Sequence, residues 1–230
     1  MGILIDDPRL RDRRFVFSDR HDAGRKLGVL IKSRPFLTEP LVMAIPAGGV
    51  PVGVEIARAL HAPLSLMIVR KIQIPGNTEA GFGAVTFDGH VLINEHLRSV
   101  LGLSQDEVDT AIASTRRNIA ERVARYMSGR PFPDPAKKCV ILTDDGLASG
   151  YTMLAAVESI RTFQPERIIV AVPTSSASSA DRIAREVDEC ICLNIRRGDR
   201  FSVAEAYRNW YDLDDREVLD ELNLSSSERN

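Results

Sequence analysis

Cys139-Val140-Ile141-Leu142-Thr143-Asp144-Asp145-Gly146-Leu147-Ala148-Ser149-Gly150-Tyr151-Thr152 is the stretch on which the reading of this chain turns. Its first five residues, apolar or β-branched, read as a strand buried on both faces, the mark of a parallel sheet. The strand delivers two adjacent carboxylates to its C-terminal tip, then passes through a turn of small residues into a helix expected over Thr152–Phe163. Backbone N–H groups of such a turn, with the positive end of the helix, form an anion site. Ser149 and Thr152 add hydroxyl donors, and the two acids suit sugar hydroxyls or a hydrated cation. A capping role would use one acid, not two acids and two small turn residues. A Walker-B strand end is excluded, because no G-x-x-x-x-G-K-[ST] occurs in the chain.

Outward from this stretch the same alternation repeats. Apolar runs at Leu41–Pro46, Leu64–Val69, Arg167–Pro173 and Glu189–Ile195 read as further buried strands. Helical spacing separates them at Asp19–Ser33, Val50–His61, Ser104–Tyr126 and Ser176–Val187. The third opens on Ser104 with Glu107 three residues on, the spacing of a capping box. Ala84–Phe87 and His90–Asn94 flank Asp88-Gly89, a hairpin signal. The pattern predicts an α/β fold: a doubly wound five-stranded parallel sheet with helices on both faces and a hairpin excursion. Ligands of such sheets bind at the carboxyl ends of the strands, where the winding reverses. Two strand ends carry the appropriate residues: Cys139–Thr143, and Leu41–Pro46 with its Pro46-Ala47-Gly48-Gly49 turn.

Bulk properties set limits. The 230 residues suit a single domain with a core over about 41–195, and with the N-terminal segment and 196–224 as a hood. Thirty basic against 32 acidic residues argue against a nucleic-acid partner. No apolar run spans a bilayer and no signal peptide opens the chain, so a cytoplasmic protein is expected. Cys139, Cys190 and Cys192 fall inside apolar runs and read as buried, reduced thiols. The four histidines show no ligand spacing, and Phe201, Tyr207, Trp210 and Tyr211 read as packing residues of a lid.

Four apolar residues, two acids and a short S-G-x-T loop resemble the signature of type I phosphoribosyltransferases, with Asp144, Asp145, Ser149, Gly150 and Thr152 in register. The resemblance extends over roughly Leu41–Ile195 and lies closest to the branch called predicted phosphoribosyltransferases. It implies binding of phosphoribosyl pyrophosphate with Mg²⁺, both acids holding ribose hydroxyls and the hydrated metal. Gly146, Leu147, Ala148, Ser149, Gly150, Tyr151 and Thr152 would wrap the 5-phosphate. Ala47, Gly48 and Gly49 match the family's pyrophosphate loop, in which relatives of this branch carry Arg where this chain has Ala47. Arg70 and Lys71 match an R-K pair that reaches the pyrophosphate.

The activity so implied is transfer of ribose 5-phosphate to a nucleobase-like nitrogen acceptor with release of pyrophosphate. Ile72–Gly83, with three glycines, matches the family's mobile catalytic loop, and its only carboxylate, Glu79, is the candidate acid or base. Ala148 stands where the 6-oxopurine enzymes place an Asp. Arg196 and Arg197 either face an acidic acceptor or end a strand in solvent. Homodimers are common in the family. The alternative reading is a regulator that senses phosphoribosyl pyrophosphate or a ribose phosphate without turning it over; a ribose-phosphate hydrolase is a third.

Overall fold

A computed structural model of the chain describes residues 2–34, 38–127, 131–198 and 200–227, with side chains at all of these except 78–79 and 224–227. Six parallel strands form the main sheet: β1 (Ile3–Ile5), β2 (Pro40–Ala44), β3 (Leu64–Leu66), β7 (Cys139–Thr143), β8 (Arg167–Ser176) and β9 (Glu189–Arg196). Their spatial order is β1-β9-β8-β7-β2-β3. A separate antiparallel sheet holds β4 (Val69–Ile74), β5 (Asn77–Thr86) and β6 (Val91–Ile93). The helices are α1 (Arg20–Lys32), α2 (Gly49–Leu60), α3 (Glu95–Leu101), α4 (Gln105–Tyr126), α5 (Tyr151–Arg161), α6 (Ala177–Glu186) and α7 (Asp215–Ser227).

Alternation along β7 shows why this sheet is covered on both sides. Val140 and Leu142 pack with α5 and α6 residues such as Met153, Ala156 and Ile183. Cys139 and Ile141 pack on the other face with Ala23, Leu27 and Ile31 of α1 and Val52 and Ile56 of α2. With successive side chains on opposite faces, a strand sandwiched between helices has no polar position to spare. A third apolar cluster, around Phe82, Ile119, Tyr126 and Val218, fastens the antiparallel sheet to α4 and α7.

Three expectations are corrected. The sheet has six strands rather than five, because Ile3–Ile5 pairs in parallel with β9 (Ile3 opposite Glu189). Three apolar residues followed by Asp6 and Asp7 are too short a run to signal a strand. The run Leu64–Val69 is divided: Leu64–Leu66 completes the main sheet, and Val69 already belongs to β4 of the other one. Ile72–Gly83 is hairpin rather than loop, β4 and β5 pairing from Val69–Thr86 out to Ile74–Asn77 with register shifts around Gln73.

The expected capping box forms: Ser104 with Glu107 closes a reciprocal box at the start of α4. At the start of α1, Asp19 accepts from the Asp22 N–H at 2.8 Å. The cysteines are buried free thiols, and burial pushes Cys139 up to about 11 and Cys190 to about 12. They are poor nucleophiles at neutral pH.

Winding reverses between β7 and β2, which are neighbours in space but distant in sequence. Their pairing aligns Thr143 with Ala44, so the Asp144–Gly150 segment and the Pro46–Gly49 turn emerge side by side. The candidate site lies there.

Candidate functional site

Beyond Thr143 the chain lies across the end of β8. The Leu147 N–H donates to the Thr174 carbonyl at 2.9 Å, and the Ser176 N–H donates back to the Leu147 carbonyl at 3.3 Å. Ser179 Oγ donates to the Ala148 carbonyl at 2.6 Å, and Arg182 donates to the Ser149 carbonyl at 3.1 Å. Three successive carbonyls are thus drawn toward β8 and α6. Gly150 follows at φ +77°, where a Cβ would be strained, and caps α5 without a side chain. Leu154 is the first residue of α5 to donate back, to the Gly150 carbonyl at 2.9 Å. The N–H groups of Tyr151, Thr152 and Met153 belong to the unpaired first turn. Those residues line a cleft of about 410 Å³ together with Gly146–Gly150, Asp144, Lys71, Ala80, Gly81 and Gly83.

The two acids part company at the strand tip. Asp144 lines this cleft, and its Oδ1 accepts from the Asp145 N–H at 2.8 Å. Asp145 turns toward the neighbouring turn, and a Cβ on Gly48 would lie 1.9 Å from Asp145 Oδ2. Gly49 is also confined: a Cβ there would lie 2.9 Å from Asp144 Cα and from the Thr143 carbonyl oxygen. The glycine pair after β2 makes room for the chain's own acids. Burial, then the charge of Asp145, pushes the Asp144 carboxyl well above the ordinary carboxylate range. Asp145 is raised by burial, against which Arg20 acts to lower it.

Arg20 is the site residue that sequence reasoning missed. It is 6% exposed, and its Nε donates to Asp145 Oδ2 at 2.9 Å. In the sequence it is one charged residue in the charge-rich stretch 19–26, and no spacing marks it out. The 201–212 segment closes over the same acid: Tyr207 Oη donates to the Asp145 carbonyl at 2.5 Å, and Tyr207 stacks on Phe17 and Trp210. Of the four aromatics expected to pack, Tyr207 is buried, whereas Tyr211 is exposed.

The other expected residues divide. Lys71 and the Gly146–Thr152 segment lie at the cleft. Arg70 alternates to the opposite face of β4, where burial and then the neighbouring charge of Arg122 hold its guanidinium below its ordinary value. The glycines at 48 and 49 contact the acids, while Ala47 packs against the apolar cluster of the hairpin side. The side chain of Glu79 lies outside the described residues. Arg196 is buried and paired with Glu205, and Arg197 reaches Asp12 at 3.4 Å; both are engaged within the fold. His21 bridges Glu55 and Glu221, and His90 pairs with Glu158 at 2.7 Å.

Among the described residues, no three His, Cys, Asp or Glu side chains converge on a metal position. Two adjacent carboxylates at one tip fit a cation that keeps its waters and takes further oxygens from a ligand, as Mg²⁺ does, rather than a cage of protein ligands.

The phosphoribosyl transferase domain model matches residues 27–206 of the chain. Two Mycobacterium tuberculosis proteins, of strains CDC 1551 and H37Rv, both with provisional phosphoribosyl transferase names, are 31% identical over 204 residues. The match covers 89% of this chain but 46% of theirs, so the chain spans about half the length of these relatives. Among solved structures, TT1426 from Thermus thermophilus is similar at TM-score 0.74 and 32% identity, over 91% of this chain and 98% of that one. The strand ends, the glycine-bearing turns and the acid pair thus stand in a fold that a solved relative shares over 91% of this chain, and the chain belongs to the phosphoribosyl transferase domain family.

Proposed function

We propose that the chain transfers the 5-phosphoribosyl group of phosphoribosyl pyrophosphate to a nitrogen of a nucleobase-like acceptor, with pyrophosphate leaving. The observation that carries this reading is one cleft that joins an unpaired helix N-terminus, an acid and a lysine. The first turn of α5 suits the 5-phosphate, because its N–H groups and the helix dipole face a dianion. Asp144 lines the same cleft and would accept hydrogen bonds from the ribose hydroxyls. Lys71, on β4, supplies positive charge where the pyrophosphate departs.

In the reaction the bond from the anomeric carbon to the pyrophosphate oxygen breaks, and its electron pair leaves with that oxygen. The acceptor nitrogen gives its lone pair to the same carbon and loses its proton to a base, for which Glu79 is the candidate. Bound Mg²⁺ would neutralise pyrophosphate charge, with Asp144 and Asp145 holding it through water. The chain's own work is to fix phosphate and ribose so that the anomeric carbon is presented to the acceptor, and to exclude water beneath the β4–β5 hairpin.

Isothermal titration with phosphoribosyl pyrophosphate and Mg²⁺ tests this, beside the double variant Asp144→Asn, Asp145→Asn. The expected result is micromolar binding that the double variant loses by about a hundredfold or more, two charged contacts being removed. A folded wild type that does not bind ends the reading. Binding without pyrophosphate release across a panel of bases would support a sensor instead.

A further inference from the structure

Asp145, the acid turned away from the cleft, is held from several directions at the strand tip. Gly48 lies against its carboxylate, Arg20 donates to Oδ2 at 2.9 Å, and Tyr207 donates to its backbone carbonyl at 2.5 Å. We propose that Arg20 is a positioning residue for the acid pair: by fixing the Asp145 carboxylate it holds the Asp145 N–H that donates to Asp144 Oδ1 at 2.8 Å, and so keeps the acid of the cleft in a single orientation. The proposal rests on the ribose-phosphate reading of the site.

The placement of Arg20 supports a function beyond helix stability. It occupies the first position of α1, where a cation opposes the helix dipole. There it is buried and uses three separate features of its side chain. Nε reaches Asp145, a terminal nitrogen donates to the Tyr211 carbonyl at 2.8 Å, and the guanidinium carbon lies 4.0 Å from the centre of the Trp210 ring. Trp210 in turn packs on Tyr207 at 5.3 Å, which closes a ring of contacts through the Asp145 backbone. The start of α1 and the 207–211 segment therefore hold one carboxylate between them. A lysine offers charge without a planar fork and cannot make all three contacts.

Ribose 5-phosphate and inorganic phosphate, each with Mg²⁺, separate this role from general support of the fold. Inorganic phosphate needs only the α5 turn, whereas ribose 5-phosphate also needs the acids. Arg20→Ala is expected to weaken ribose 5-phosphate binding about tenfold, the cost of one misplaced hydrogen bond to a charged group, and to leave phosphate affinity within about twofold. Arg20→Lys, which keeps the charge, is expected to stay within about threefold of Arg20→Ala. The emission of Trp210, the only tryptophan, should shift in both variants, while circular dichroism confirms that they are folded. Equal weakening of both ligands would reduce Arg20 to a structural residue and overturn the proposal. Unchanged or tighter ribose 5-phosphate binding would overturn it as well. A wild type that binds neither ligand overturns the ribose-phosphate reading itself, and this proposal with it.

Discussion

The chain makes two glycine-bearing turns at neighbouring strand ends, one after β2 and one after β7, and each leads into a helix whose start has no side-chain cap. By sequence they are equivalent candidates for binding an anion. In the structure they are opposites. The turn after β7 has its carbonyls tied to β8 and α6, and its helix start opens on the cleft. The turn after β2 is already filled, because the carboxylate of Asp145 lies where a side chain on Gly48 would be. A glycine-rich turn next to a helix start thus announces that something approaches the backbone closely. It does not say whether that is a ligand or the protein's own acid.

Substitutions at the two turns should break in different ways. The largest effect is expected for Gly48→Ala. Its Cβ would collide with Asp145 at 1.9 Å, costing about 1–3 kcal/mol as an overpacked site. The displaced acid should also weaken ribose 5-phosphate binding. Urea denaturation and titration of the same sample check both, and a stable variant with full affinity would remove the contrast between the turns. Gly150→Ala meets only Ser179 and Ile183 at ordinary contact distances, from 3.6 Å, and should cost about 1–2 kcal/mol through its left-handed backbone alone. Urea denaturation of the ligand-free protein checks this.

A third substitution addresses the open side. Burial and Asp145 raise the carboxyl of Asp144, so ionising it disfavours the folded state. Its contribution is most favourable at low pH and is lost as pH rises from the unfolded carboxylate value toward the folded one. Asp144→Asn should therefore stabilise the ligand-free protein at pH 7 by ~1 kcal/mol while impairing binding, in line with relieved functional sites. Thermal melts between pH 4 and 8 read this as a flatter pH profile.

The smallest effect is expected at His21, away from both turns. Its hydrogen bond to Glu221, opposed by partial burial and helped by Glu55, raises its titration. The stability it adds is present below about pH 6.5, the ordinary value for histidine, and fades as pH rises through the folded value. His21→Asn should remove less than about 1 kcal/mol, as for a partly exposed pair, and only on the acidic side. Urea midpoints measured at pH 5 and pH 8 check this.

The central strands and their helices were legible because parallel strands buried on both faces leave unbroken apolar runs. The acid pair at the strand tip and the small-residue turn behind it were legible because unusual residues stand adjacent in sequence. What was hidden depends on distance. Ile3–Ile5 is a strand only because β9 offers it an edge, and Arg20 belongs to the site only because the fold brings it to Asp145 across 125 positions. Arg70 and Lys71 look like one basic pair in the sequence, yet strand alternation sends them to opposite faces.

The edge strand β1 also bears on the making of the protein. Ile3 pairs with Glu189, so β1 leaves the ribosome long before the strand it joins and must wait for it. At ordinary elongation rates this interval is on the order of ten seconds or more. Throughout it, β9 has not been made, and α1 has no finished sheet to lie on. Because Arg20 and Tyr207 come from opposite ends of that interval, the clamp on Asp145 can close only after synthesis has passed residue 207. A nascent chain stalled before that point would carry the acid pair and the turn after β7 without their support.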